Sequence, residues 1–113
     1  MKIYISGPIT GLPELNKPAF DREESRLRSM GLSVFNPQTI APPKEKLTGR
    51  DLWRHYMREC VKMIPECDRI LMLPGWENSD GAKEERRIAK MLGIPVQYAD
   101  ERTAVVFPRA EVL

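Results

Sequence analysis

Residues 68–96 read DRILMLPGWENSDGAKEERRIAKMLGIPV, and the succession of patterns inside this stretch decides the fold. RILML (69–73) is a nearly continuous apolar run, which fits a central parallel strand covered on both faces. Leu73-Pro74-Gly75-Trp76 breaks that strand. A helix begins near Ser79 or Asp80, either of which can accept the free N–H groups of a first turn, and Gly93 ends it. Residues 94–98 then supply another strand, with Pro95 tolerable only at its beginning or on an edge.

The rest of the chain repeats the theme. KIYIS (2–6) is strand-like and stops at Gly7-Pro8, and a loop leads to a helix that Pro18 can open at its first position. Phe20, Leu27 and Met30 suit the inner face of that helix, and Gly31 ends it. LSVF (32–35) is a second strand closed by Asn36-Pro37, and residues 38–49, with Pro42-Pro43, form a long loop of the kind that covers a site or merely decorates a surface. From 50 to 64 the helical period returns. Trp53, Met57, Cys60 and Ile64 make an apolar stripe, while Arg50, Arg54, Arg58 and Lys62 make a basic ridge that is either solvated or reaches an anionic ligand. TAVVF (103–107) reads as a fifth strand. The expected architecture is α/β: a Rossmann-like three-layer sandwich in flavodoxin-like order, with a mainly parallel sheet of four to five strands in a single domain over 1–113.

Composition narrows the function classes. Hydrophobic residues make up 42% and charged residues 30%, and the formal net charge is +2, too small to argue for long nucleic acid. Cys60, Cys67 and His55 match no zinc spacing, so neither a metal nor another cofactor is expected. No apolar stretch approaches the roughly 18 residues of a membrane span, and MKIYISG lacks the long apolar region of a signal peptide, so a reduced, cytoplasmic protein is expected. A small open sheet also gains by burying a helical face against a copy of itself, which makes a homodimer or higher homo-oligomer the expected assembly.

Three places can carry chemistry. Ser6, Gly7, Pro8, Ile9, Thr10 and Gly11 follow the first strand, where glycine lets backbone N–H groups approach a ligand and Ser6 or Thr10 can donate to a phosphate or sugar hydroxyl. This is neither GxGxxG nor a Walker loop, and a tight turn explains it equally well. Between 73 and 82, Ser79 sits where a helix N-terminus can hold an anion or simply be capped, and Trp76 can stack on a base or close the core. Third, Glu85 falls on the stripe of Ala82, Ala89 and Leu92 while Lys83, Glu84, Arg86, Arg87 and Lys90 take the wet face. An acid aimed inward below a rim loop is costly unless paired or used.

These residues together resemble the nucleoside 2-deoxyribosyltransferase-like superfamily, in particular its small phage and prophage branch, the DUF4406 proteins. The resemblance rests on KIYISGPITG (2–11), Asn36-Pro37, Trp53 with Tyr56-Met57, Cys67-Asp68, LMLPGWENSDGAKEE (71–85), Ile88-Ala89 and Leu92-Gly93, and extends to about Val96. In the superfamily's enzymes a glutamate four residues after a glycine attacks the anomeric carbon of 2-deoxyribose, and water or a second base resolves the glycosyl-enzyme. Carried onto this chain, Gly81 is that glycine and Glu85 the nucleophile, the same residue the stripe selects. The resemblance further implies a phosphate contact at Ser79 and ligand contacts at Gly7, Pro8 and Ile9, with Thr10 where the monophosphate glycosidases carry arginine.

One position departs from the enzymes. They carry an aspartate eight residues before the Asp68 position, where this chain has Cys60; Glu59 next to it projects about 100° away on a helix. Either Asp51, Tyr56 or another polar group takes over, or the protein binds a nucleotide without turning it over. The expected function is therefore cleavage of the N-glycosidic bond of a 2-deoxynucleoside or its 5'-monophosphate, by hydrolysis or transfer. The alternative is a non-catalytic nucleotide-binding or protein-interaction module on the same fold. The expected partner in either case is a small nucleoside or nucleotide.

Overall fold

Alternation along the first strand, β1 (Lys2–Ser6), sets the layers: Ile3 and Ile5 enter one half of the core and Tyr4 the other. The computed structural model describes residues 1–99. In it β1 is followed by α1 (Lys17–Ser29), β2 (Ser33–Phe35), α2 (Gly49–Met63), β3 (Arg69–Met72), α3 (Asp80–Met91) and β4 (Val96–Tyr98). The strands form one parallel sheet in the order β2-β1-β3-β4. Ile3 and Ile5 pack with Phe20, Leu27, Val34, Leu71 and Leu73 on the α1 side; Tyr4 packs with Cys60, Ile64, Ile70, Met72, Ala82 and Ala89 on the side of α2 and α3. The expected three-layer α/β sandwich and flavodoxin-like order are what the chain adopts.

This order creates a switch point. From β1 the chain moves to one neighbour, β2, then returns across the sheet to the other, β3, so the loops after β1 and β3 part at the C-terminal ends of adjacent strands. They start in contact. Leu73 N–H donates to the Ser6 carbonyl at 2.7 Å, and a Cβ on Gly7 would stand 2.8 Å from the Leu73 Cβ, so only glycine fits there.

Several boundaries differ from the sequence reading for local reasons. Helix α1 starts at Lys17, behind Asn16, so Pro18 stands second rather than first; Pro also tolerates that place because the N–H there has no helical acceptor. Met30 is 50% exposed and Leu92 49% exposed, although both fall on the inward stripes, because each sits at a helix C-cap where the backbone has left the helical path. Ile88 packs against the core beside Ala89. The strand expected from residue 94 begins at Val96, with the Pro95 carbonyl accepting from Ile70 N–H at 3.0 Å. Within the long loop, residues Pro37–Thr39 form one 3-10 turn, and its start is anchored by buried Asn36, which donates to Glu24 at 3.0 Å and accepts from Gln38 N–H at 2.9 Å. The fifth strand expected at 103–107 lies outside the described residues. Among the described residues no helix is long and apolar enough to cross a membrane.

Candidate active site

Glu85 lies on the inner face of α3, is 5% exposed, and points at β1. Tyr4 and Ser6, two positions apart on one strand, present their hydroxyls to the same face. Tyr4 Oη–H donates to Glu85 Oε2 at 2.7 Å and Ser6 Oγ–H to Oε1 at 2.6 Å. Each carboxylate oxygen thus has one hydroxyl donor, and the Cys60 thiol from α2 adjoins both Tyr4 and the carboxylate.

The electrostatics follow from burial. Loss of water pushes the Glu85 carboxyl above its ordinary value, while hydrogen bonds from Ser6, Tyr4 and Cys60 pull it partly back. Burial, then the neighbouring Glu85 charge, raises the Tyr4 phenol and the Cys60 thiol. Hydrogen bonds to a charged acceptor contribute about 1.5–3 kcal/mol each, so the hydroxyls offset part of the cost of ionising Glu85 in this dry site. Such a group can act as a nucleophile or base, or clamp α3 to β1.

The other residues singled out from sequence divide into three sets. Gly7 and Pro8 are buried where the two loops meet, Pro8 lying 3.2 Å from where a Gly75 Cβ would stand, and the Pro8 carbonyl accepts from Asn16 Nδ2 at 2.8 Å. Ile9 is half-buried and packs on the α1-side core, and Thr10 is exposed. Ser79 and Gly81 belong to the start of α3: Ser79 Oγ accepts from Ala82 N–H at 3.2 Å, and Gly81 faces Met57 and Trp53 of α2. Trp76 packs at the edge of the core cluster that contains Tyr4 and Cys60. Trp76 lies against Tyr98 at 5.7 Å between ring centres and under the Arg86 guanidinium at 4.8 Å, and Tyr56 meets His55 edge-on. From α2 it is Cys60 that adjoins Glu85.

Tyr4 is the residue the sequence reading missed. Its signal was present in KIYIS, where strand alternation places Tyr4 and Ser6 together, two hydroxyls on one face of an otherwise apolar strand. A concavity of about 400 Å³ lies elsewhere, on the outer side of α2 and α3, lined by Arg50, Trp53, Asp80, Lys83, Glu84 and Arg87. Glu85 faces away from it, into the core. Among the described residues no three of His, Cys, Asp and Glu converge to hold a metal ion.

Comparison with known proteins bears on this geometry. A family model described as a domain of unknown function, DUF4406, matches residues 1–98. A 2-deoxyribosyltransferase from the psychrotolerant bacterium Bacillus psychrosaccharolyticus has a similar structure, with a TM-score of 0.69 and 22% identity over 87% of this chain and 71% of that one. A conserved protein from Enterococcus faecalis V583 is similar with a TM-score of 0.59 and 24% identity, over 93% of this chain and 67% of that one. At these identities the likeness is one of fold. No curated protein matches the sequence.

Proposed function

The chain belongs to the DUF4406 family, and from that premise we propose that it cleaves the N-glycosidic bond of a 2-deoxynucleoside or its 5'-monophosphate, with Glu85 as nucleophile. The observation that carries this reading is a dry carboxylate, held by Tyr4 and Ser6 at the switch point of a deoxyribosyltransferase-like sheet. An acid in that position is expensive for the fold, and ligands of open parallel sheets bind where these loops part. In the proposed reaction Glu85 attacks the anomeric carbon, the base departs, and water or a second base releases the sugar. Ser79 and the loop of Gly7, Pro8, Ile9 and Thr10 would hold the sugar and its phosphate. The partners under this reading are a small nucleoside or nucleotide and a second copy of the chain.

The closure of Glu85 favours a second reading. At 5% exposure with both oxygens engaged, the carboxylate can serve as a structural clamp in a module that binds without turnover. Release of free base from the four deoxynucleosides and their 5'-monophosphates, with and without an acceptor base, separates the two. Release by the wild type that disappears in Glu85→Gln supports the glycosyl-transfer reading. Absence of release from the whole panel favours the clamp.

A further inference from the structure

Two seams of different make close over Glu85. Between β1 and β3 the closure is backbone on backbone: the Leu73 N–H donates to the Ser6 carbonyl at 2.7 Å, and a Cβ on Gly7 would stand 2.8 Å from the Leu73 Cβ. Between α2 and α3 it is side chain on glycine. A Cβ on Gly81 would stand 3.2 Å from the Met57 Sδ and 3.7 Å from the Trp53 Nε1. Helical spacing orders this second seam from outside to inside. Trp53 lines the outer concavity of about 400 Å³, Met57 lies one turn further along α2 against Gly81, and Cys60 and Glu85 follow one turn deeper on the two helices. Trp53 and Met57 are half-buried, whereas Cys60 and Glu85 are each 5% exposed.

Resting on the glycosyl-transfer reading, we infer that a nucleoside reaches Glu85 through the α2–α3 seam, with the concavity as its outer mouth and Met57 as the side chain that closes it. Opening between β1 and β3 breaks a hydrogen bond of the sheet, while opening between two packed helices needs a new rotamer of Met57 and a small shift of α2. Methionine is unbranched and turns about three bonds, which suits it to that task. The start of α2 is also lightly held, since the chain enters it through Gly49 at φ 55° and the Leu52 N–H reaches the Thr48 carbonyl only at 3.4 Å. At about 400 Å³ the concavity falls within the roughly 300–1,000 Å³ of small-molecule sites. Its wall carries Arg50 stacked on Trp53 at 4.9 Å, and Lys83 and Arg87 paired with Asp80 and Glu84, a polar rim around one aromatic ring.

The test is labelling of Glu85 by a water-soluble carbodiimide with glycinamide, on the intact chain at one fixed pH, read by tandem mass spectrometry of the tryptic peptide of residues 84–86. Glu84, on the same peptide and on the concavity, is the internal reference. Met57→Ala should raise the Glu85 rate relative to Glu84 by at least about tenfold over the wild type. Met57→Leu keeps the volume and should stay within about threefold of the wild type. Ile64→Ala opens a cavity in the same core cluster, one turn beyond Cys60 on the side away from the concavity, and should leave the ratio near that of the wild type. An unchanged ratio in Met57→Ala, or the same gain in Ile64→Ala, overturns the inference. Base release from the deoxynucleosides and their 5'-monophosphates is followed alongside. If Met57→Ala gains label and release is absent, the glycosyl-transfer reading falls while the seam stands as the way to Glu85.

Discussion

A carboxyl group raised by burial binds its proton more tightly in the folded chain than in the unfolded one, and Glu85 should show this in stability. Its contribution is fully present below the unfolded value, about 4.5, and is lost as pH rises through the higher folded value. Glu85→Gln has nothing to titrate there. Urea unfolding should therefore show the wild type losing ground to Glu85→Gln as pH climbs from about 5 to 8, by at most about 1.4 kcal/mol per pH unit. A constant difference across that range contradicts the burial of a titrating Glu85. Tyr4→Phe removes one donor to the Glu85 carboxyl, so it should cost about 0.5–3 kcal/mol, and more where that carboxyl is ionised than where it is protonated, read from the same curves. Glu85 was legible in the sequence because Ala82 and Ala89 bracket it on a helical stripe. Its partner was not, because a tyrosine in a strand is ordinary and the two residues are 81 positions apart.

Elements set the precision of this arrangement. The β3–α3–β4 unit was legible because an apolar run, a capping serine and a terminating glycine are local signals. Which face the loops would close on was not, since that depends on the meeting of Gly7 with Leu73, contributed by different strands. Gly7→Ala should push the β1 and β3 ends apart and cost about 1–3 kcal/mol in urea unfolding, with loss of any base release, because Ser6 moves with Gly7. Ser79 caps α3 whatever else it does. Ser79→Ala should cost about 0.5–2 kcal/mol. If Ser79 also holds a phosphate, the same variant raises KM for 5'-monophosphates more than for nucleosides, whereas an equal effect on both confines Ser79 to the cap.

Across the whole molecule, the strand order brings β1 and α3 together although most of the chain separates them. Tyr4, Ser6, Cys60 and Glu85 come from β1, α2 and α3, and only the crossover from β2 to β3 over β1 makes them neighbours. The sequence conveyed the order of elements and hence the switch point. It did not convey that the carboxylate would be closed by hydroxyls rather than by an arginine or an open cleft, since that depends on side-chain packing between three elements. The central claim, that this carboxylate bonds to the sugar, is tested most directly by mass spectrometry of protein quenched during base release, with the adduct located by tryptic digestion. A deoxyribosyl unit on the peptide of residues 84–86, on Glu85 and absent from Glu85→Gln, is the predicted result. Base release with no sugar on that peptide, or with the sugar on another residue, would contradict it.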